Sequence, residues 1–76
     1  MELGIYEHYK KKNYEVIGLA RHSETLEELV VYKALYESSD FGKDALWVRP
    51  KTLFQEKINI DGRIISRFRF IGKKSN

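Results

Sequence analysis

The run Arg21-His22-Ser23-Glu24-Thr25 packs a fixed cation, an imidazole, a carboxylate and two hydroxyls into one short stretch. An imidazole is the side chain suited to proton transfer near neutral pH, and Glu24 lies close enough in sequence to orient that of His22. The same pair could contribute an imidazole and a carboxylate to a metal. A divalent site needs three or four ligands, however, and only His8 joins His22 beside the carboxylates. The chain has no cysteine, so thiolate zinc sites and the His-x-Glu plus cysteine-pair chemistry of zinc deaminases are excluded. The plain alternative is a turn in which Ser23 and Thr25 bond the backbone and Glu24 pairs with Arg21. No catalytic residue and no cofactor is assigned. A small enzyme centred on His22 and Glu24 would need a cleft around them that excludes water.

A second group, Leu46-Trp47-Val48-Arg49-Pro50, sets a guanidinium near a large aromatic ring. Arg49 can grip a carboxylate or phosphate with two parallel hydrogen bonds. Trp47 can offer a stacking face, or simply close one end of the fold. The two are expected on different faces of a short strand, beside the reversal forced by Pro50. Tyr32 and Tyr36 share a strand face, and if that face is outward they would form an aromatic groove with Trp47. The expected binding set is therefore Arg21, His22, Glu24, Tyr32, Trp47 and Arg49, serving a protein, a peptide or a small anionic ligand. A competing set for nucleic acid is the basic run Lys10, Lys11 and Lys12 together with Arg63, Arg67 and Arg69. In the latter stretch cations alternate with Phe68 and Phe70. Alternation also explains that pattern by itself, with rings inside and guanidinium groups outside. Glu27 and Glu28 would point to opposite faces of a strand and cannot act as an acid/base pair. There is no glycine-rich phosphate loop, nucleophile elbow or paired-histidine helix.

These residues must be held by a very small body. The chain has 76 residues, 42% of them apolar and 33% charged, which describes one folded domain with a single small core. Without disulfides or thiolate metal sites, stability rests on packing Ile, Leu, Val, Phe, Tyr and Trp. The net charge of +3 is weak evidence about partners. Met1–Gly4 has no signal-peptide character and no apolar run nears the roughly 18 residues that span a bilayer, so a cytoplasmic location is expected.

Gly4–Lys10 alternates polar and apolar residues and reads as a strand. Lys11-Lys12-Asn13 reads as a turn, with Asn13 a candidate for left-handed backbone. Tyr14–Arg21 reads as a second strand, with Val16, Gly18 and Ala20 on one face and Ile17 and Leu19 on the other. Apolar residues on both faces imply a central position, and Gly18 and Ala20 imply a bulky group or another backbone close to their face. Glu24–Glu37 is ambiguous: Thr25 and Glu28 could open a helix, whereas Leu29-Val30-Val31-Tyr32 favours a strand. Glu37–Ala45 is a loop by composition. Leu46–Arg49 is a short strand, and Pro50 can start one helical turn to Gln55. Asp61-Gly62 between Glu56–Ile60 and Arg63–Ile71 is the strongest hairpin signal in the chain. Five or six short strands with one helical turn, in so short a chain, suggest an all-β SH3-like barrel that hides most of its edges. A small α+β fold with residues 25–36 helical is the alternative.

The strings His8-Tyr9-Lys10, Tyr14–Thr25, Glu28–Tyr32, Ala34-Leu35-Tyr36 and Trp47-Val48-Arg49-Pro50 with Phe54 resemble a family of small bacterial domains of unknown function. The resemblance covers about residues 4–71. It implies an SH3-like barrel, and hence a strand at Leu29–Tyr36, and it implies no reaction. The loop Glu37–Ala45 and the tail 72–76, expected to be flexible, depart from its pattern. The resulting expectation is a non-enzymatic binding module of one domain, residues 1–76.

Overall fold

The computed structural model describes residues 1–74. Nine strands and one helical turn follow each other: β1 Gly4–His8, β2 Asn13–Arg21, β3 Glu28–Ala34, β4 Glu37–Ser38, β5 Gly42–Lys43, β6 Leu46–Pro50, α1 Lys51–Phe54, β7 Lys57–Ile60, β8 Arg63–Ser66 and β9 Phe68–Gly72. The fold is all-β and barrel-like. Its five-stranded antiparallel sheet has the order β6-β3-β2-β1-β9. Four strands thus run as a meander, and the last returns to pair with the first. β2 is central, as its two apolar faces require.

Period-two alternation decides what is buried. Tyr6, Val16, Val30, Tyr32, Ala34 and Phe68 point inward and are buried, and Phe54 of α1 plugs the interior at 1% exposure. Pro50 caps α1 and ends β6, since it has no N–H for a further ladder bond. Phe54 stacks on Phe68 with centroids 4.1 Å apart and planes inclined by 7°, and it meets Tyr6 and Tyr32 edge-on. Closure is visible in one distance. β6 and β9 are opposite edges and would lie on the order of 19 Å apart in a flat sheet. The Arg49 guanidinium of β6 nevertheless lies 5.6 Å from the ring centroid of Phe68 in β9. The sheet has curled until its edges face each other.

Four local features differ from the sequence expectation. In the first turn Lys11, not Asn13, takes the left-handed conformation (φ 72°). β2 carries a bulge: Val16 pairs with Tyr32 but Gly18 pairs with Val31, so Ile17 is the extra residue. Beyond it the alternation is inverted. Leu19 and Arg21 now share the inner side with Val30 and Glu28, and no bulky group approaches Gly18 within 4 Å. The loop after Tyr36 contains the tiny hairpin β4–β5. Finally, Arg63–Ile71 is not one strand. β8 pairs with β7 in a hairpin of its own, and after Arg67 the chain joins the main sheet as β9.

The Asp61-Gly62 turn forms as expected, both residues at positive φ (52° and 82°) with the Gly62 N–H donating to Asn59 Oδ1. The base of this hairpin is closed by Arg67 N–H donating to Glu56 O at 3.0 Å. In the tail expected to be flexible, Gly72 ends β9, and Ser75 and Asn76 lie outside the described residues.

Candidate functional site

Antiparallel order gives the sheet two ends. One holds the start of β3 and the end of β2, joined by the turn His22–Glu27. The other holds the end of β1, the start of β2, the end of β3, and the starts of β6 and β9.

The His22 turn is fully exposed from Arg21 to Glu27. His22 Nδ1 accepts from the backbone N–H of Glu24 (3.1 Å) and of Thr25 (3.3 Å), and Thr25 Oγ1 accepts from Glu27 N–H. Leu26 N–H donates to His22 O with Leu26 at φ 64°, and Arg21 Nη1 donates to Leu26 O at 2.8 Å. Every polar group placed by these bonds is used to shape the turn. Glu24 does not orient His22; its backbone does the bonding. The water-excluding cleft that an enzyme centred here requires is missing from this exposed turn.

The six residues expected to converge do not. Arg21 pairs with Glu28 at one end of β3, whereas Trp47 pairs with Tyr32 four residues along, about 13 Å away. Tyr32 is 6% exposed, a core ring packed between Tyr14, Phe54 and Phe68. Trp47 and Arg49 lie two residues apart on β6 and so share a face, contrary to the expectation of different faces. That face is the inner one, opposite Tyr32 and Val30. Trp47 is 37% exposed at the rim, where Phe41 packs edge-on against it at 5.0 Å.

The far end gathers a different set. His8 closes the β1–β2 turn: its N–H donates to Lys12 O, its C=O accepts from Lys11 N–H, and its Nδ1 accepts from Lys10 N–H at 3.1 Å. Both histidines therefore do the same local task, shaping a turn through Nδ1. His8, however, is half-buried and its ring stands 4.9 Å from Phe68 and 4.5 Å from Tyr9. The Tyr14 and Tyr36 hydroxyls share a hydrogen bond of 2.7 Å. Burial, then that bond, pushes the Tyr14 phenol well above its ordinary range.

Cations surround these rings. The Lys12 ammonium lies 4.8 Å over Tyr36, Lys10 and the Arg67 guanidinium each lie 5.8 Å from the Tyr9 centroid, and Arg49 lies over Phe68. The Tyr9 N–H donates to Arg67 O, tying the turn to β9. Burial first, then the charges of Arg67, Arg49 and Lys10, hold the His8 imidazole below its ordinary value of 6.5.

The basic residues divide accordingly. Arg67 makes two hydrogen bonds to Glu56 Oε2, and Arg69 bonds Glu7 Oε1 at 2.7 Å. Lys11 lies near Glu7, and Arg63 is away on the β7–β8 hairpin. Among the described residues, Lys10, Lys12 and Arg49 have no carboxylate within ion-pair distance. Trp47 stands at the start of β6, and the structure gathers Arg49 from one expected set and Lys10, Lys12 and Arg67 from the other into one cluster on the rings around His8. His8, Tyr9, Tyr14 and Tyr36 complete it. The signal for them was the turn at Lys11–Asn13, which folds His8 and Tyr14 onto adjacent strands, and the inward alternation of β1.

A separate groove of about 490 Å³ lies on the other side, lined by Leu3, Gly4, Ile17, Glu15, Lys73 and Lys74 among others. It is open, and the one buried side-chain oxygen that lacks a hydrogen bond among the described residues, Glu15 Oε1, is already flanked by cations. Glu15 Oε1 lies between the ammonium groups of Lys33 (3.5 Å) and Lys74 (3.4 Å), close enough for ion pairing though not aligned for a hydrogen bond.

His8 gives a pH test. A ring held below 6.5 when folded binds fewer protons than the unfolded chain. Its contribution is present above the unfolded value and is lost as pH falls through the folded one. Thermal midpoints should therefore drop between pH 7.5 and pH 5 in the wild type. In His8→Asn, which keeps an acceptor for Lys10 N–H, the drop should be smaller.

The family described as "Protein of unknown function (DUF1653)" matches residues 4–70 of the chain. Among curated proteins, none matches. A crystal structure of a DUF1653 protein from Bordetella bronchiseptica is similar over 100% of this chain and 94% of that one, with 32% sequence identity and a TM-score of 0.86.

Proposed function

Since the chain belongs to the DUF1653 family, whose description assigns no activity, we propose a function from geometry: a non-catalytic binding module that holds an anionic ligand at its His8 end. What supports this is the clustering of Lys10, Lys12 and Arg49, each lacking a carboxylate partner among the described residues, on aromatic rings around one half-buried histidine. Cations set on low-dielectric walls focus a positive field, and after burial it is the charges of Arg67, Arg49 and Lys10 that add to the depression of the His8 imidazole. The rings limit hydration on one side of each cation, which strengthens its attraction to an incoming anion.

The test is a titration of isotope-labelled protein with inorganic pyrophosphate at low salt, followed by amide chemical shifts. Shifts should concentrate at His8–Lys12, Tyr36 and Arg49. Shifts centred on Arg21–Glu27, or none at all, would sink the reading.

A further inference from the structure

We infer that the anion is the backbone of a single-stranded nucleic acid, whose bases stack on the rings at the His8 end. The inference rests on the anion-binding reading above and goes further in naming the ligand class.

Three observations carry it. First, rings and cations come in pairs at this end of the sheet, Tyr36 under Lys12 and Tyr9 under Lys10, and Trp47 with Phe41 adds an uncharged pair of rings at the start of β6. A backbone phosphate and a base repeat in the same manner, and each base offers a face that any aromatic ring accepts. An acidic peptide would use the cations and the rings beneath them but leave Trp47 and Phe41, over which no cation lies among the described residues, without a task. Second, the rings are reachable. Phe41 is 63% exposed, Trp47 is 37% exposed, and Tyr9 and Tyr36 are half-buried. Third, the span fits. From β6 across β3 and β2 to β1 is three strand spacings, and Tyr9 lies five residues beyond Gly4, the β1 residue in register with Trp47, so the track runs on the order of 20 Å. That accommodates a few nucleotides, at the short end of the roughly 4–16 held by small nucleic-acid-binding barrels. A duplex keeps its bases stacked on one another, so these rings select the unpaired strand.

Trp47 is the only tryptophan in the chain and reports stacking directly. A fluorescently labelled oligothymidylate of about 12 nucleotides, long enough to overfill the track, should bind at 50 mM salt and quench Trp47. With Lys10, Lys12 and Arg49 each meeting a phosphate, affinity should fall roughly 20-fold between 50 and 200 mM salt, a slope near −2. Lys12→Gln should reduce that slope by about 0.7. Tyr9→Leu should weaken binding by about fivefold or more at every salt concentration and leave the slope unchanged. Comparable affinity for a duplex of the same length, an undiminished affinity in Tyr9→Leu, or tighter binding of polyglutamate would overturn the inference. If pyrophosphate shifts the His8 end but the oligonucleotide does not bind, the nucleic-acid inference fails and the anion site survives.

Discussion

Replacing Phe54 by alanine should cost about 3–5 kcal/mol, the range for emptying a buried phenyl site, and leave the chain largely unfolded at 37 °C. The size of the effect follows from position. Phe54 is 1% exposed and joins α1 to β1, β3 and β9, stacking on Phe68 and meeting Tyr6 and Tyr32 edge-on. A domain of this length rarely has more than about 3–5 kcal/mol from its core, so one ring accounts for most of it. Phe54→Leu, which keeps much of the volume, should lose much less, about 1–2 kcal/mol. Urea denaturation followed by Trp47 fluorescence measures both. A Phe54→Ala protein with an unshifted midpoint would mean that α1 does not plug the barrel.

Gly4→Ala should be the second most damaging change. Gly4 sits at φ 141°, where a side chain is strained, and an added Cβ would lie 2.7 Å from the carbonyl oxygen of Gly72 and 3.0 Å from the ring of Phe70. The backbone oxygen cannot move away without breaking the β1–β9 pairing, where the register already shifts between Ile5 and Tyr6. Strain of about 1–3 kcal/mol, added to the clash, should lower the thermal midpoint by well over 5 °C for a domain of this size. Gly18→Ala is the matched control. Nothing lies within 4 Å of its added Cβ, so its midpoint should stay within a few degrees of wild type. Equal damage from the two substitutions would contradict the close approach of β9 to Gly4.

Most of the architecture was legible because its signals are local. Asp61-Gly62 specifies a turn by conformational preference, Pro50 stops β6 and starts α1, and the alternation in β1 and β3 names the inward residues. The bulge at Ile17 was not legible. The apolar pattern of Val16–Leu19 continues unbroken through it, and only the partner strand reveals the extra residue. The break at Arg67 was hidden in the same way, since Arg63–Ile71 alternates throughout while its hydrogen-bonding partner changes from β7 to β1. The six residues of the expected binding set stay apart for a related reason. Composition marked Arg21–Thr25 as the richest polar run, but richness does not say which end of the sheet a turn occupies. His8, Arg49 and Phe68 are separated by most of the chain and meet only because the sheet's two edges curl together.

The β7–β8 excursion has a practical meaning. The chain departs at Glu56 and comes back at Arg67 through a backbone contact of 3.0 Å, reinforced by the Arg67 guanidinium on the Glu56 carboxylate. Exit and re-entry are clamped independently of whatever lies between them. Residues 57–66 are therefore a ready port for exchange, where a reporter, an epitope or an entire guest domain can be spliced in while the host keeps its shape.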